Sequence, residues 1–184
     1  SDQVLFTDDE GQLQKVDKVR VDSATYDEVK YTLRGGRSTG SKTGAEVISV
    51  TYGDAPRVYN EGPQNLSRES YRKAVSDFDG AKNAVPDHAR EWLLEYANAK
   101  KGEALAELGK YEDAIRSFEE ALSANSKTLV YDEVQLGLAR CYVALKQWDK
   151  ASAAADALLK VGETAKRPVW QAAASRSLAL ILVA

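Results

Sequence analysis

Two different spacings of hydrophobic residues divide the chain. In the first sixty residues hydrophobic and polar positions alternate, as in Val29–Leu33 and Val47–Tyr52, which is typical of strands with one buried face. From Ser67 onward hydrophobic residues recur every three or four positions, which is typical of amphipathic helices. The pattern predicts an α+β fold, with a small antiparallel β domain over residues 1–60 and a helical repeat domain, an α-solenoid, over residues 61–184.

The β domain is predicted to contain four or five short strands. Asp8–Gly11 has the composition of a turn, and the glycine-rich segment Gly35–Gly44 separates two alternating stretches. Several short strands in about sixty residues indicate a small antiparallel sheet or a partly closed barrel. Pro56, Gly62 and Pro63 then indicate a turn-rich exit from the strands, so the domain boundary is expected between about residues 53 and 65.

The glycine-rich segment must be tested against a phosphate-binding loop. Gly35 and Gly40 have the spacing of that motif, but Ser41 separates the second glycine from Lys42. The residues that follow read as a strand, so no helix N-terminus would face a phosphate. The interpretation is a hairpin loop, in which Arg34, Arg37 and Lys42 leave a weak anion contact open.

The helical part contains one hydrophobic pattern that occurs three times. The helices are expected over Tyr71–Ala81, Leu93–Leu108, Tyr111–Ala124, Leu129–Leu145, Trp148–Val161 and Val169–Val183, with Gly109 and Gly162 as helix ends and Pro168 in a first turn. An aromatic residue begins each set and small or apolar residues continue it: Tyr71, Ala74, Phe78 and Ala81; Tyr111, Ala114, Phe118 and Ala121; Trp148, Ala151, Ala155 and Leu158. The offsets are 40 and 37 residues. Such a period indicates a solenoid of helix pairs.

Residues 67–184 resemble the tetratricopeptide repeat family. The resemblance is carried by Gly102, Leu105, Gly109, Tyr111, Ala114, Phe118 and Ala121, and by Leu138, Ala139, Tyr142, Trp148, Ala151 and Leu158. The family's early tryptophan is replaced by Asn98 and Gln135, and its late proline is missing. The resemblance implies about two complete repeats with a half repeat on each side.

The resemblance also implies a groove lined by the first helix of each pair, which binds a peptide or a helix. The side chains that would face it here are Tyr96, Glu103, Glu107, Glu133, Leu136 and Arg140. Family members that grip carboxylate termini use lysine and asparagine at places where this chain has Ala99 and Glu103, so that clamp is absent. Three glutamates against one arginine would suit a partner with apolar anchors and one or two basic residues, unless the carboxylates are a solvated face.

Composition narrows the function classes. A net charge of −3 and a pI near 5.4 give no basic field for nucleic-acid binding. The single Cys141 and single His88 argue against a metal site, which we expect to be absent along with any cofactor. His88 reads as an exposed residue at a helix start and Cys141 as a small core residue. We therefore expect no enzymatic activity.

The last predicted helix is apolar on several faces, although solenoids usually end in a polar cap. Either the chain continues in the natural protein or this helix pairs with another copy, and Leu178, Ile181 and Leu182 are the expected self-association residues. The longest apolar run is too short for a membrane span. The absence of methionine and the vague likeness of the β domain to those of exported bacterial repeat proteins suggest a periplasmic or otherwise exported protein, with a trimmed cytoplasmic form as the alternative.

The sequence thus predicts a non-enzymatic scaffold that binds a protein or peptide through its groove or associates with itself. The alternative is that the β domain is the recognition module, binding a peptide or polymer, while the helical repeats serve oligomerisation.

Overall fold

The computed structural model describes residues 1–84 and 92–183; the prediction for His88 lies outside the described residues. The strands are β1 (Asp2–Thr7), β2 (Leu13–Ala24), β3 (Glu28–Leu33), β4 (Thr39–Thr43) and β5 (Val47–Thr51). The helices are α1 (Arg57–Ser67), α2 (Tyr71–Asn83), α3 (Trp92–Glu107), α4 (Tyr111–Ala124), α5 (Tyr131–Ala144), α6 (Trp148–Thr164) and α7 (Pro168–Leu182). The chain divides into a β unit, Ser1–Ala55 with Lys127–Leu129, and a helical unit, Pro56–Ser126 with Val130–Ala184.

The β unit is one antiparallel sheet in the order β4-β3-β2-β1-β5, as predicted. Its core is formed by the alternating residues that the strands turn inward, among them Val4, Val19, Val21, Val29 and Val47. Burial of each of these side chains stabilises the fold by about 1.5–3 kcal/mol. This fixes the register of the strands, because a slip of one residue would turn the side chains to solvent.

The sheet is curled rather than flat. Its two edge strands, β4 and β5, are joined by residues 44–46 alone. A flat sheet of five strands would hold its edges about 19 Å apart, whereas the chain from Thr43 to Val47 reaches about 14 Å. In agreement, Lys42 Nζ of β4 lies 3.9 Å from the ring centroid of Phe6 in β1. The sheet is therefore a partly closed barrel.

The glycine-rich segment differs from the predicted loop. Only residues 34–38 form the turn, in which Gly35 and Gly36 have positive φ angles of 103° and 71°. Thr39–Thr43 is β4, and a methyl group added at Gly40 would lie 2.7 Å from the Tyr31 ring. The second half of the segment is thus a strand whose glycine makes room for a core tyrosine.

The helical unit contains one helix that the sequence pattern did not predict. Helix α1 occupies the segment interpreted as turns, and Pro63 lies within it. Gly62 is buried in this helix and packs against the Phe78 ring. A methyl group at this position would lie 2.5 Å from that ring, so a larger residue would not fit. The described residues therefore form three helix pairs, α1–α2, α3–α4 and α5–α6, followed by α7, instead of two pairs with a half repeat on each side.

The repeating core is confirmed. Each second helix begins at the predicted aromatic residue, Tyr71, Tyr111 or Trp148, and the alanines three positions later are fully buried. Gly62 and Gly102 are 40 residues apart, as are the phenylalanines that pack on them, Phe78 and Phe118. In the third pair alanine replaces both members of this contact: Ala139 takes the place of the glycine and Ala155 that of the phenylalanine.

The turns inside the helix pairs also repeat. After α3, Gly109 has a φ of 72°; its N–H donates to Ala106 O at 3.0 Å and the Lys110 N–H donates to Leu105 O at 2.9 Å, the pattern of a Schellman cap. Glu69 after α1 and Lys146 after α5 take the same left-handed conformation, with φ of 59° and 57°. Two side chains thus occupy a conformation that costs a non-glycine residue about 1–2 kcal/mol.

Replacing Lys146 by glycine is therefore expected to raise the free energy of unfolding by about 0.5–1 kcal/mol, since glycine adopts a positive φ without a steric penalty. Denaturant titration followed by circular dichroism measures the change. Lys146→Ala is the matched control: it removes the same charge but keeps the strain, so it is expected to give little gain. Equal gains in both variants would attribute the effect to charge and contradict the expectation.

Helix α6 is longer than predicted. Gly162 does not end the helix but is buried within it. A Cβ atom at this position would lie 3.0 Å from the backbone nitrogen of Gln171, so the glycine allows α7 to pack closely. The helix ends instead at Thr164, and Lys166, two residues later, has a φ of 53°. A glycine required by helix packing was thus interpreted as a glycine required by a cap.

Candidate functional site

The first helices of the pairs form one continuous layer. Helix α3 packs against α1 and α5, and α5 packs against α7. Between α3 and α5 the layer has an open groove of about 280 Å³. Its lining contains both apolar and charged residues: Ala99, Lys100, Glu103, Phe118, Glu133, Leu136, Gly137 and Arg140. Four of the six predicted groove residues, Glu103, Glu133, Leu136 and Arg140, therefore line one concavity.

An unpredicted lysine lies among the groove carboxylates. Lys100 Nζ of α3 donates to Glu133 Oε2 of α5 at 2.6 Å and lies 3.3 Å from Glu103 Oε2. Partial burial lowers the pKa of Lys100, but the two carboxylates outweigh that effect, so its pKa is raised and it remains charged. Lys100 thus joins α3 to α5 across the groove.

A second ion pair crosses in the opposite sense. Arg140 of α5 donates to Glu107 Oε1 of α3 at 2.7 Å, which places the fifth predicted residue beside the groove. The five groups sum to one negative charge, so the groove is less acidic than three glutamates against one arginine would suggest. Because all five side chains are partly exposed, each pair contributes about 1 kcal/mol or less and a ligand charge can compete with it.

The apolar floor of the groove is the Phe118 ring. Methyl groups added at Gly102 and Gly137 would lie 2.7 and 2.3 Å from that ring, so the two glycines let it sit between α3 and α5. Leu136 remains half-buried beside it. The local chemistry is therefore a small apolar patch with charged groups on both sides.

Tyr96, the sixth predicted groove residue, lies in an aromatic cluster on the α1 side. Its ring is 5.9 Å from that of Trp92, which is 5.4 Å from Tyr59, and both contacts are edge-to-face. Burial raises the pKa of Tyr59, and the negative charges of Glu133 and Glu95 raise it further. Tyr59 was missed by sequence reasoning because α1 was missed.

The three predicted self-association residues are placed differently from one another. Ile181 is buried in a cluster with Ala151 and Ala155, and Leu178 packs against that cluster. Leu182 is 83% exposed. They do not share one exposed face of α7.

In the described residues, Cys141 is not placed as a nucleophile and metal-binding clusters are absent. Cys141 is buried, and burial raises the pKa of its thiol to about 11, the opposite of an activated nucleophile. Among residues 1–84 and 92–183, His, Cys, Asp and Glu nowhere form a group of three or more that would hold a metal ion. In the same part of the chain, helices that are long and apolar enough to cross a bilayer are absent.

The family comparison matches the repeats themselves. Residues 105–176 match the family model described as tetratricopeptide repeat, the segment in which the aromatic-led core and the Schellman turn recur. Residues 105–176 are tetratricopeptide repeats. The matched segment extends from the end of α3 into α7 and therefore includes the α5 side of the groove.

Solved structures extend the likeness to the fold of the other repeats. The Sgt2 tetratricopeptide repeat domain of Aspergillus fumigatus has a TM-score of 0.55 and 18% identity, over 71% of this chain and 78% of that one. A tetratricopeptide-like protein of Chlorobium tepidum has a TM-score of 0.55 and 17% identity, over 67% of this chain and 91% of that one. No curated protein matches the sequence significantly. At such identities the likeness concerns the fold alone.

The elements of the helical unit that were not predicted carried a sequence signal. Gly62 precedes Phe78 by 16 residues, as Gly102 precedes Phe118, so aligning the repeats over both helices would have predicted α1. Lys100 carried a weaker signal. It lies one position beyond Ala99 on the helix, and only the length of its side chain brings its ammonium group to α5.

Proposed function

We propose that the protein is a non-enzymatic scaffold that binds a peptide segment in the groove between α3 and α5. Tetratricopeptide repeats generally mediate protein–protein interaction. The observation that carries the proposal is the combination of an apolar floor at Phe118 and Leu136 with ion pairs weak enough to be displaced.

The charge arrangement favours a ligand with at least one basic residue. Glu103, Glu107 and Glu133 outnumber Lys100 and Arg140, and Glu103 makes the longest of the ion pairs between these groups, 3.3 Å to an ammonium that it shares with Glu133. A ligand lysine or arginine beside Glu103 would therefore gain a charge-assisted hydrogen bond while Lys100 kept Glu133. An apolar side chain of the ligand would cover Leu136, and this contact would anchor the peptide in the groove.

Random-peptide display on the intact protein tests the proposal. Selected peptides are expected to combine an apolar residue with a lysine or arginine, and Leu136→Glu is expected to weaken their binding at least about tenfold, since it places a charge against the apolar anchor. Glu103→Lys with Glu133→Lys is expected to have a similar effect through repulsion of the basic residue. Calorimetry with synthetic peptides measures both.

The matched control is Glu112→Lys with Glu163→Lys, which makes the same charge change at two exposed positions outside the groove lining. This variant is expected to bind within about twofold of the wild type. If no peptide is enriched, or if the groove and control variants bind equally, the groove is not the binding surface.

A further inference from the structure

We propose that the β unit carries a second binding site, for an anion with two or more negative charges. The site is a cleft whose basic residues are Lys18, Arg20, Arg34 and Arg37, called here the basic cleft. It is separate from the groove of the repeats, and it arises from the register of the sheet.

The register explains why these residues meet. Val19 of β2 pairs with Leu33 of β3, and Arg20 pairs with Thr32. Because the strands are antiparallel, Lys18, which precedes Val19, and Arg34, which follows Leu33, lie at the same end of the paired segment, where β3 enters its turn. Lys18 has a φ of 58°, and the register of β1 against β2 shifts beside it, between Asp2 and Gln3. This irregularity bends the strand where the cleft opens.

The cleft consists of two adjoining depressions of about 550 and 500 Å³, which share Leu33, Arg34 and Gly35. The first also contains Lys18 and Arg20, and the second contains Arg37. Gly35 and Gly36 have positive φ angles and carry no side chains, so a ligand can approach the backbone of the turn closely. Leu33, 40% exposed, gives the cleft one apolar wall.

The positive charge of the basic cleft is not neutralised from within the part of the chain that the structure describes. In that part Lys18, Arg34 and Arg37 form no ion pair. Arg20 has Asp22 at 3.7 Å, but the same carboxylate accepts a 2.6 Å hydrogen bond from the Thr32 hydroxyl. Four cations against one shared carboxylate leave three positive charges in a concave surface, where the field is focused.

Two carboxylates beside the cleft residues already have partners. Asp17, next to Lys18, lies 3.0 Å from Lys15 Nζ. The buried Asp2 accepts hydrogen bonds from the backbone N–H of Val21 at 2.8 Å and of Gly53 at 3.0 Å. Asp8, Asp9 and Glu10 lie in the turn between β1 and β2, at the opposite end of β1 from Asp2. The β unit is acidic as a whole, with ten acidic and seven basic residues over positions 1–55. The positive cluster is therefore a local segregation of charge.

The side chains specify the class of ligand. A guanidinium group binds phosphate or carboxylate through two parallel hydrogen bonds, which an ammonium group cannot do. Arg34 and Arg37 lie on opposite sides of Gly35 and Gly36, so a ligand with two anionic groups can contact both. The chemistry is shared by oligophosphates and by polycarboxylates.

Titration of the isotope-labelled intact protein with tripolyphosphate and with citrate tests the proposal. At low salt we expect saturable shifts of the backbone amides of residues 18–20 and 32–38, half complete at about 1 mM or below, with at least one probe. The probe that saturates first assigns phosphate or carboxylate as the preferred group. Rising salt is expected to weaken the binding, because the screening length falls from about 30 Å at 0.01 M to about 10 Å at 0.1 M.

The decisive variant is Arg34→Gln with Arg37→Gln, for which we expect at least about tenfold weaker binding. Its matched control is Lys15→Gln with Lys30→Gln, which removes two exposed charges from β2 and β3 where each lysine already has a carboxylate partner. The control is expected to bind within about twofold of the wild type. Absence of saturation with both probes, or equal weakening in the two variants, would overturn the proposal; the unchanged spectra of distant residues verify that each variant is folded.

Discussion

Replacing Phe118 by alanine is expected to lower the free energy of unfolding by about 3–5 kcal/mol, the range for deletion of a large aromatic side chain from a core. The ring is 2% exposed and sits between Gly102 of α3 and Gly137 of α5. It therefore joins two helix pairs, and its loss leaves a cavity that the surrounding helices can fill only in part. Chemical denaturation measures the change, and Val169→Ala on the exposed surface of α7 is expected to change it by less than about 0.5 kcal/mol.

The contact with Gly102 permits a sharper test. In the wild type, Gly102→Ala places a methyl group 2.7 Å from the Phe118 ring, so an overpacking cost of about 1–3 kcal/mol is expected. In the Phe118→Ala background that cost should disappear because the ring is absent, and Gly102→Ala should then be slightly stabilising, since alanine is the better helix former. The double variant then has the residues of the third pair, Ala139 and Ala155. Additive effects of the two substitutions would show that the glycine is not there to admit the ring.

The same contacts explain what could be predicted from the sequence. Helices α2 to α7 were predictable because their hydrophobic residues repeat with the helical period and because Tyr71, Tyr111 and Trp148 mark equivalent starts. Helix α1 was not, since Gly62 and Pro63 are typical of turns and only the Phe78 ring gives that glycine its reason. A local pattern cannot distinguish a glycine required by packing from one required by backbone conformation.

The candidate sites show the same limit on a smaller scale. Glu103, Glu133 and Arg140 were predicted for the groove because helical spacing determines which residues share a face. Lys100 was not, because its position depends on a long side chain reaching Glu133 on another helix. The basic cleft depends on register: Arg34 and Arg37 could be named from the sequence, but Lys18 joins them only because Val19 pairs with Leu33.

A buried polar pair gives the second large effect. In the first helix pair Asn65 Nδ2 donates to Asp77 Oδ2 at 2.6 Å, and both residues are buried. The equivalent residues 40 positions later are Leu105 and Ser117, also buried. The first helix pair thus has a hydrogen-bonded amide and carboxylate at the positions where the second helix pair has a leucine and a serine.

Asn65→Leu is expected to cost about 3–5 kcal/mol, because it removes the hydrogen bond to the Asp77 carboxylate and leaves that group buried against an apolar side chain. Asn65→Leu with Asp77→Ser is expected to recover most of the loss, since the repeat already accommodates that combination at Leu105 and Ser117 and a neutral replacement of a buried polar pair is often tolerated. Thermal and denaturant unfolding of both variants measure the difference. If the double variant were less stable than the single one, the loss would come from the volume of leucine in the first pair rather than from the isolated carboxylate. The two helix pairs would then be equivalent in backbone but not in side-chain packing.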